Sequence, residues 1–314
     1  MKHSIYGEPY AGDTKYVALC RLLQSIYRVK CKQAIRPYVC RDRHYYYGNY
    51  IANGETSGAN FLEDYIFEYA KHRVANKKSY ETIGQDRLFN NLLSSQPMAF
   101  NLFCPLRHMV EHNREAATEV LRAALPKYRI ARVVDVDLEF IPSNYEKLTG
   151  DKSAMDAIIK FEDELGRSCF IAIETKYSEA LGTNEASNKE LAVKVAEKLK
   201  CFNSDIAKRV ENKDVKLTQI YRNFLLSEAY GIYSGAESYS LVLAPEIHPS
   251  TDREVRSLRD ELNDDFKYKI DSLSLESFVE GVLAKCPDAY RSCFERFRER
   301  YLMFDKARSI QQSL

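Results

Sequence analysis

A chain of 314 residues, 45% apolar and 29% charged, has the composition of a folded globular protein, which excludes a disordered or collagen-like polymer. No run approaches the roughly 20 apolar residues that cross a bilayer, and the opening MKHSIYGEPYAGDTKY has no apolar h-region, so neither a membrane span nor a secretory signal is expected. Eight cysteines without framework spacing read as reduced thiols, and with a net charge of only +1 the expectation is a soluble α/β protein of the cytoplasm.

Along the chain, apolar residues at helical spacing (Val17, Leu22, Ile26, Val29) predict a helix over 17–29. The first fifty residues hold nine Lys/Arg against three Asp/Glu, together with nine of the 22 tyrosines. Cations with interleaved rings suit a polyanion with stackable bases, and Lys30, Lys32, Arg41 and Arg43 are the candidate phosphate contacts. The plainer alternative is a solvated helix followed by a tyrosine-rich packing loop over 31–57. Residues 1–57 are therefore expected to be a basic segment packed on a main domain of 58–314. Within that domain, helices are expected over 61–74, with Asn60 as N-cap, over 85–94 and over 109–125, with Ser95-Gln96-Pro97 a loop.

The period then changes. Residues 130–141, 154–162 and 168–177 read as strands, the last two joined by the turn-like Asp163-Glu164-Leu165-Gly166-Arg167. Helices return over 185–201 and 216–233, a short apolar strand over 238–244 follows, another is expected over 266–270, and 275–285 and 288–303 are helical.

The most informative stretch is SAMDAIIKFEDELGRSCFIAIETKYSE, residues 153–179. Glu174 and Lys176, two apart on a strand, point to one face. A hairpin whose paired residue numbers add to 330 turns at Leu165 and sets Asp156 opposite Glu174. Burying two carboxylates beside an ammonium is costly unless they pair or hold a metal. With the Thr175 carbonyl they offer hard oxygen ligands to Mg²⁺, with Mn²⁺ as a substitute. Such an ion activates a bound water and offsets charge on a phosphodiester, and a neighbouring lysine positions the water. A plain Lys176 salt bridge is the structural alternative.

At these residues the sequence resembles the PD-(D/E)XK nuclease superfamily, whose signature is a strand-borne Asp followed by Glu/Asp-x-Lys on the next strand. Met155 stands where a proline often precedes the Asp. The blocks GANFLEDYI, RLFNNLLSSQPMAFNLF, LEFIP, GDKSAMDAII, AIETKYSE and QIYRNFLL are similar to a group of bacterial restriction-endonuclease-like proteins, over about residues 15 to 245. The resemblance implies an αβββαβ core, a mixed central sheet flanked by helices, here with a helical N-terminal elaboration. It implies a metal-dependent nuclease acting on DNA in restriction or anti-phage defence. The alternative is a silent nucleic-acid-binding or assembly subunit that keeps the fold. Cutting both strands would be simplest in a homodimer, and a defence-system partner subunit is the alternative assembly. Residue by residue, Asp156 and Glu174 would ligate the metal and Lys176 handle the water. Glu139 would add a metal or water contact, and Glu63 would be the acid brought by an N-terminal helix, with its neighbours Asp64 and Glu68 competing for that role. Gln219 and Arg222, three apart on one helix face, would turn toward the site, Arg222 onto a phosphate.

Other constellations are weaker. Cys20, Cys31, Cys40 and His44 miss the short spacings of structural zinc sites. His108 and His112 share a helix face without an H-E-x-x-H pattern, and no Gly-rich phosphate loop is present.

Overall fold

The computed structural model describes residues 5–81, 83–150, 152–186 and 188–313. Lys2 of the basic segment, Asp151 of the GDKSAMDAII block and Ser187 of the expected 185–201 helix lie outside the described residues. The N-terminal helix, α1 (Lys15–Lys30), is capped by Thr14, which accepts from the Val17 N–H, and it buries Leu19, Cys20 and Leu23. A hairpin follows, β1 (Tyr38–Cys40) and β2 (Arg43–Tyr45), which sequence periodicity missed. Its two turn residues, Arg41 and Asp42, both have positive φ (47° and 61°). That is the backbone of a tight primed turn, made without the Asn-Gly pair that usually signals it.

The tyrosines expected to interleave with cations largely pack on one another. Tyr45 stacks on Tyr47 at 5.5 Å between ring centroids, Tyr38 stacks on Tyr50, and the Arg21 guanidinium lies over Tyr10 and Tyr47.

Next come α2 (Gly54–Ser57), α3 (Asp64–Ala75), α4 (Gln85–Asn90), α5 (Ser95–His112) and α6 (Arg114–Ala124). Asn60 is not the cap of α3; its buried side chain donates to the Leu88 carbonyl, and the helix starts four residues later. Residues 95–97 are not a loop. Ser94 caps α5 by accepting from the Gln96 N–H, and Pro97 sits in the first turn, where a missing N–H costs nothing. Asn113 divides the expected 109–125 helix, closing α5 and capping α6 by accepting from Ala116 N–H.

The sheet begins with β3 (Ile130–Phe140), α7 (Tyr145–Leu148), β4 (Met155–Asp163) and β5 (Ser168–Thr175). A helical crossover of α8 (Lys189–Leu199), α9 (Ile206–Glu211) and α10 (Gln219–Ser234) leads to β6 (Glu237–Ala244). Then α11 (Thr251–Glu261) and α12 (Asp264–Lys267) lead to β7 (Ile270–Ser274). The strand expected over 266–270 is displaced: 264–267 is helical and β7 starts at Ile270. The chain ends in α13 (Leu275–Lys285), α14 (Asp288–Tyr301) and α15 (Phe304–Ser313). The strands lie side by side in sequence order; β3, β4 and β5 are antiparallel, while β5–β6 and β6–β7 are parallel. This is the expected mixed sheet with the αβββαβ order.

One face packs against α5, α6 and α13 in the larger core, and the other against α10 and α11, with α8 packed on α10. With both faces covered, β5 is buried from Cys169 to Thr175, which is why it reads as a nearly unbroken apolar run. At the Asp163–Arg167 turn, Gly166 takes φ +75°, and the Asp163 carboxylate accepts from the N–H groups of Leu165 and Arg167. That turn sets the register of β4 against β5.

Helices from both ends of the described chain, α1 and α14, reach the segment just past β5, where Tyr177 follows Lys176. Tyr177 is fully buried; its hydroxyl accepts from Gln24 of α1, and its carbonyl accepts from the Tyr16 hydroxyl. Gln24 in turn bonds the backbone carbonyl and the guanidinium of Arg300 on α14. Arg300 is 1% exposed, donates to Gln24 and Asn60, and lies over the rings of Tyr27 and Tyr301.

Candidate active site

From Ala157 to Glu162 the β4–β5 pairs all add to 330, the register anticipated for the hairpin, and its next step sets Asp156 level with Glu174. On the other side of β4, the β3 pairs from Asp135 to Phe140 add to 295, which sets Glu139 level with Asp156. Three carboxylates from three adjacent strands thus form one row across the sheet, at the end away from the Asp163–Arg167 turn. Lys176 follows Glu174 by two residues and faces the same way. All four line an open cleft of about 550 Å³, with Gln219 and Arg222 on one wall and the cations Arg87 and Lys152 at its edge.

Asp156 Oδ2 accepts from the N–H (2.7 Å) and the hydroxyl (2.8 Å) of Thr175. A strand residue carries its N–H and C=O on one edge, so the Thr175 carbonyl is aimed at the β4 side as well. Burial, then the charges of Glu174 and Glu139, hold the Asp156 carboxyl well above the usual carboxylate range. Glu174, 7% exposed, is gripped at both oxygens: Oε1 by Lys176 Nζ (2.7 Å) and Gln219 Nε2 (2.7 Å), Oε2 by Asn223 Nδ2 (2.7 Å). Burial alone would lower the Lys176 pKa, but the Glu174 and Asp156 carboxylates outweigh it and hold the ammonium above its ordinary value. Gln219 connects the parts. Its Oε1 accepts from Lys176 Nζ (3.1 Å) and Gly182 N–H (2.8 Å) while its amide donates to Glu174.

Glu139 is 4% exposed and sits at φ +49°, a left-handed conformation that costs a side-chain-bearing residue about 1 kcal/mol or more. Its Oε1 accepts from Gln96 Nε2 (2.7 Å), its carbonyl accepts from Arg73, and burial raises its pKa against the lowering effect of the Gln96 bond. Gln96 also accepts from Gly84 N–H at 3.3 Å, so α5 braces Glu139 through its first turn. Glu179 holds that turn in place by accepting from the N–H of Ser95.

Among the described residues, no three His, Cys, Asp or Glu side chains are gathered closely enough to hold a metal by themselves. Glu139 is turned onto Gln96, and Glu174 is held by Lys176, Gln219 and Asn223. The groups that could hold a metal are therefore few: Asp156, the Thr175 carbonyl, and Glu174 where it exchanges one of these bonds for the ion. Such a set fits a hard divalent cation that keeps several of its waters, and its charge would relieve the crowding that raises the Asp156 pKa.

Other expected residues are not brought to the cleft. Glu63 precedes α3 as its N-cap, and its carboxylate pairs with Arg296 of α14 instead of lining the cleft. Lys30 is engaged by Glu299 at 2.6 Å, while Lys32, Arg41 and Arg43 are exposed on the N-terminal segment and do not line it either. The cysteines at 20, 31 and 40 and His44 gather no metal site, and His108 stacks on His112 with a bond to the Tyr290 hydroxyl. Sequence reasoning missed Gln96, hidden by reading Pro97 as a break, and Asn223, although its place four residues after Gln219 puts both on one helix face.

The family model described as the PD-(D/E)XK nuclease superfamily matches residues 11–303, nearly the whole chain. The chain belongs to the PD-(D/E)XK nuclease superfamily. No curated protein and no solved structure matches it. The superfamily comprises metal-dependent nucleases that act on nucleic acids, and the sheet order and hairpin described above are the scaffold on which its motif is carried. No helix among the described residues is long and apolar enough to cross a membrane.

Proposed function

We propose that the protein is a Mg²⁺-dependent deoxyribonuclease that hydrolyses phosphodiester bonds in bacterial restriction or anti-phage defence. The observation that carries this reading is the row Glu139, Asp156, Glu174 with Lys176 on the same face of the sheet, opening into a cleft edged by cations. Asp156, Glu174 and the Thr175 carbonyl would hold the metal, which when bound supplies an activated water and charge compensation at the phosphate.

The protein's own groups do the rest. Lys176, held cationic by its neighbours, orients the attacking water and meets the negative charge that builds on the phosphoryl oxygens. Gln219 keeps Glu174 and Lys176 in one geometry, so that neither has to reorganise as the charge develops. Arg222 and Lys152 neutralise the flanking phosphates, and Glu139, braced by Gln96, sets the far end of the row. Similarity to restriction-endonuclease-like blocks supports DNA and a defence role.

The test is incubation of the purified chain with supercoiled plasmid, linear duplex, single-stranded DNA and RNA under Mg²⁺, Mn²⁺ or EDTA. Cleavage of DNA that requires the metal and disappears with Lys176→Met is the expected result. Metal-independent binding without cleavage of any substrate would instead favour a silent subunit.

A further inference from the structure

A second groove, of about 400 Å³, adjoins the cleft between α7, α8 and α10. Its charged lining is lysine throughout: Lys147, Lys194 and Lys198, all exposed, above a floor that includes Leu148 and Leu191. Lys194 is paired with Glu190 on the open helix surface, a contact of the kind that exchanges readily for a better anion. At the outer end, Ile232 and Tyr233 are each 67% exposed, unusual for large apolar side chains on a helix that otherwise packs on the sheet.

The two depressions lie side by side. Gly150 lines the cleft, and a Cβ on it would stand 3.1 Å from Cδ2 of Leu191 in the groove. Lys147 and Lys152, either side of Gly150, line the groove and the cleft respectively. On α10, Arg222 of the cleft shares a helix face with Ala229 and Tyr233 of the groove, seven and eleven residues further on. That face spans about 16 Å of helix.

We propose that this groove holds an unpaired nucleic-acid strand leading away from the cleft, its phosphates on Lys147, Lys194 and Lys198 and a base on Tyr233. The inference rests on the nuclease reading above and extends it to the form of the substrate. A duplex keeps its bases stacked inward and would leave the apolar floor and the exposed ring unused, whereas a single strand presents base faces and phosphates together. An acidic protein segment would satisfy the lysines too, but it does not explain why the groove lies beside a cleft built around carboxylates and a lysine.

The experiment measures fluorescence anisotropy of the full chain in EDTA with a blunt DNA duplex and the same duplex carrying a single-stranded extension. In the wild type the extension should tighten binding about tenfold, the scale of one or two stacked bases. Tyr233→Ala should remove most of that preference and Tyr233→Phe should keep it. The combined Lys147→Ala, Lys194→Ala and Lys198→Ala variant should lower the salt slope for the extended duplex by about 2. All the substituted side chains are exposed, and thermal unfolding confirms that each variant is folded.

No gain from the extension in the wild type, or a gain that survives both Tyr233→Ala and the triple variant, overturns the proposal. If the wild type cuts blunt duplex with metal and is indifferent to the extension, only the groove is refuted. If it neither binds nor cuts any nucleic acid, the nuclease reading falls with it.

Discussion

Lys176→Met should destabilise the fold as well as stop cleavage. The ammonium is 6% exposed and lies 2.7 Å from Glu174, itself 7% exposed, with Asp156 and Glu139 in the same row. Removing one partner of a fully buried ion pair costs about 3–5 kcal/mol, because the survivor is left charged in a poorly solvating site. Here Glu174 keeps its bonds from Gln219 and Asn223, so the low end applies, about 3 kcal/mol in EDTA at neutral pH. In a urea titration followed by circular dichroism, that is a midpoint shift of roughly 1 M.

The pH dependence has a definite sign. Asp156 already has a folded pKa above its unfolded value, and losing Lys176 raises it further. A raised carboxyl carries no penalty below its unfolded pKa and a growing one as pH climbs toward the folded pKa. The gap between variant and wild type should therefore be smallest near pH 4, about the unfolded carboxyl pKa, and widen as pH rises above it. Adding Mg²⁺ should narrow it at neutral pH, since the ion replaces part of the missing positive charge. A variant as stable as the wild type at pH 7.5, or a gap that does not change with pH, would refute the argument.

Gln96→Leu leaves the buried Glu139 carboxylate without its amide donor, so cleavage should fall at least tenfold while stability drops by about 1–3 kcal/mol, read by plasmid cleavage and urea unfolding. Glu63→Ala should leave plasmid cleavage within about twofold and cost less than about 1 kcal/mol, because its partly exposed pair with Arg296 lies outside the cleft; a large loss of activity would restore Glu63 to the site. At Gly281 of α13 a Cβ would stand 2.5 Å from the Ala124 Cα of α6, backbone that cannot swing aside, so Gly281→Ala should lower stability by about 2 kcal/mol or more, seen as a fall in unfolding temperature.

The hairpin was legible because its determinants are local. A polar turn with one glycine fixes the centre, two-residue periodicity fixes the faces, and the observed register follows directly. The mixed sheet followed from the order of periodic segments. What escaped the sequence depends on contacts between distant residues or on backbone that breaks the usual signals. Pro97 in a first turn looks the same as Pro97 in a loop until the cap of α5 is known, and with it went Gln96. The β1–β2 turn uses Arg41 and Asp42 at positive φ, where Asn-Gly would have announced it. The polar β7, IDSLS, owes its strand conformation to pairing with β6. Glu63 was expected from the family resemblance and the basic N-terminal residues from composition, but neither says which way a side chain faces: Lys30 is tied to Glu299 and Glu63 to Arg296.

The bonds between Gln24 and Arg300 join residues 276 positions apart, and both Tyr177 and Asn60 belong to the network they complete. During synthesis, residues 139 to 223 leave the ribosome well before residue 300 does. A nascent chain can thus form the ribbon that bears the acidic row while Gln24 still lacks its partner, and the anchor behind Tyr177 closes only when α14 has emerged. A chain cut short in that last stretch would carry the whole acidic row and Lys176 yet lack the tie behind Tyr177, the next residue along.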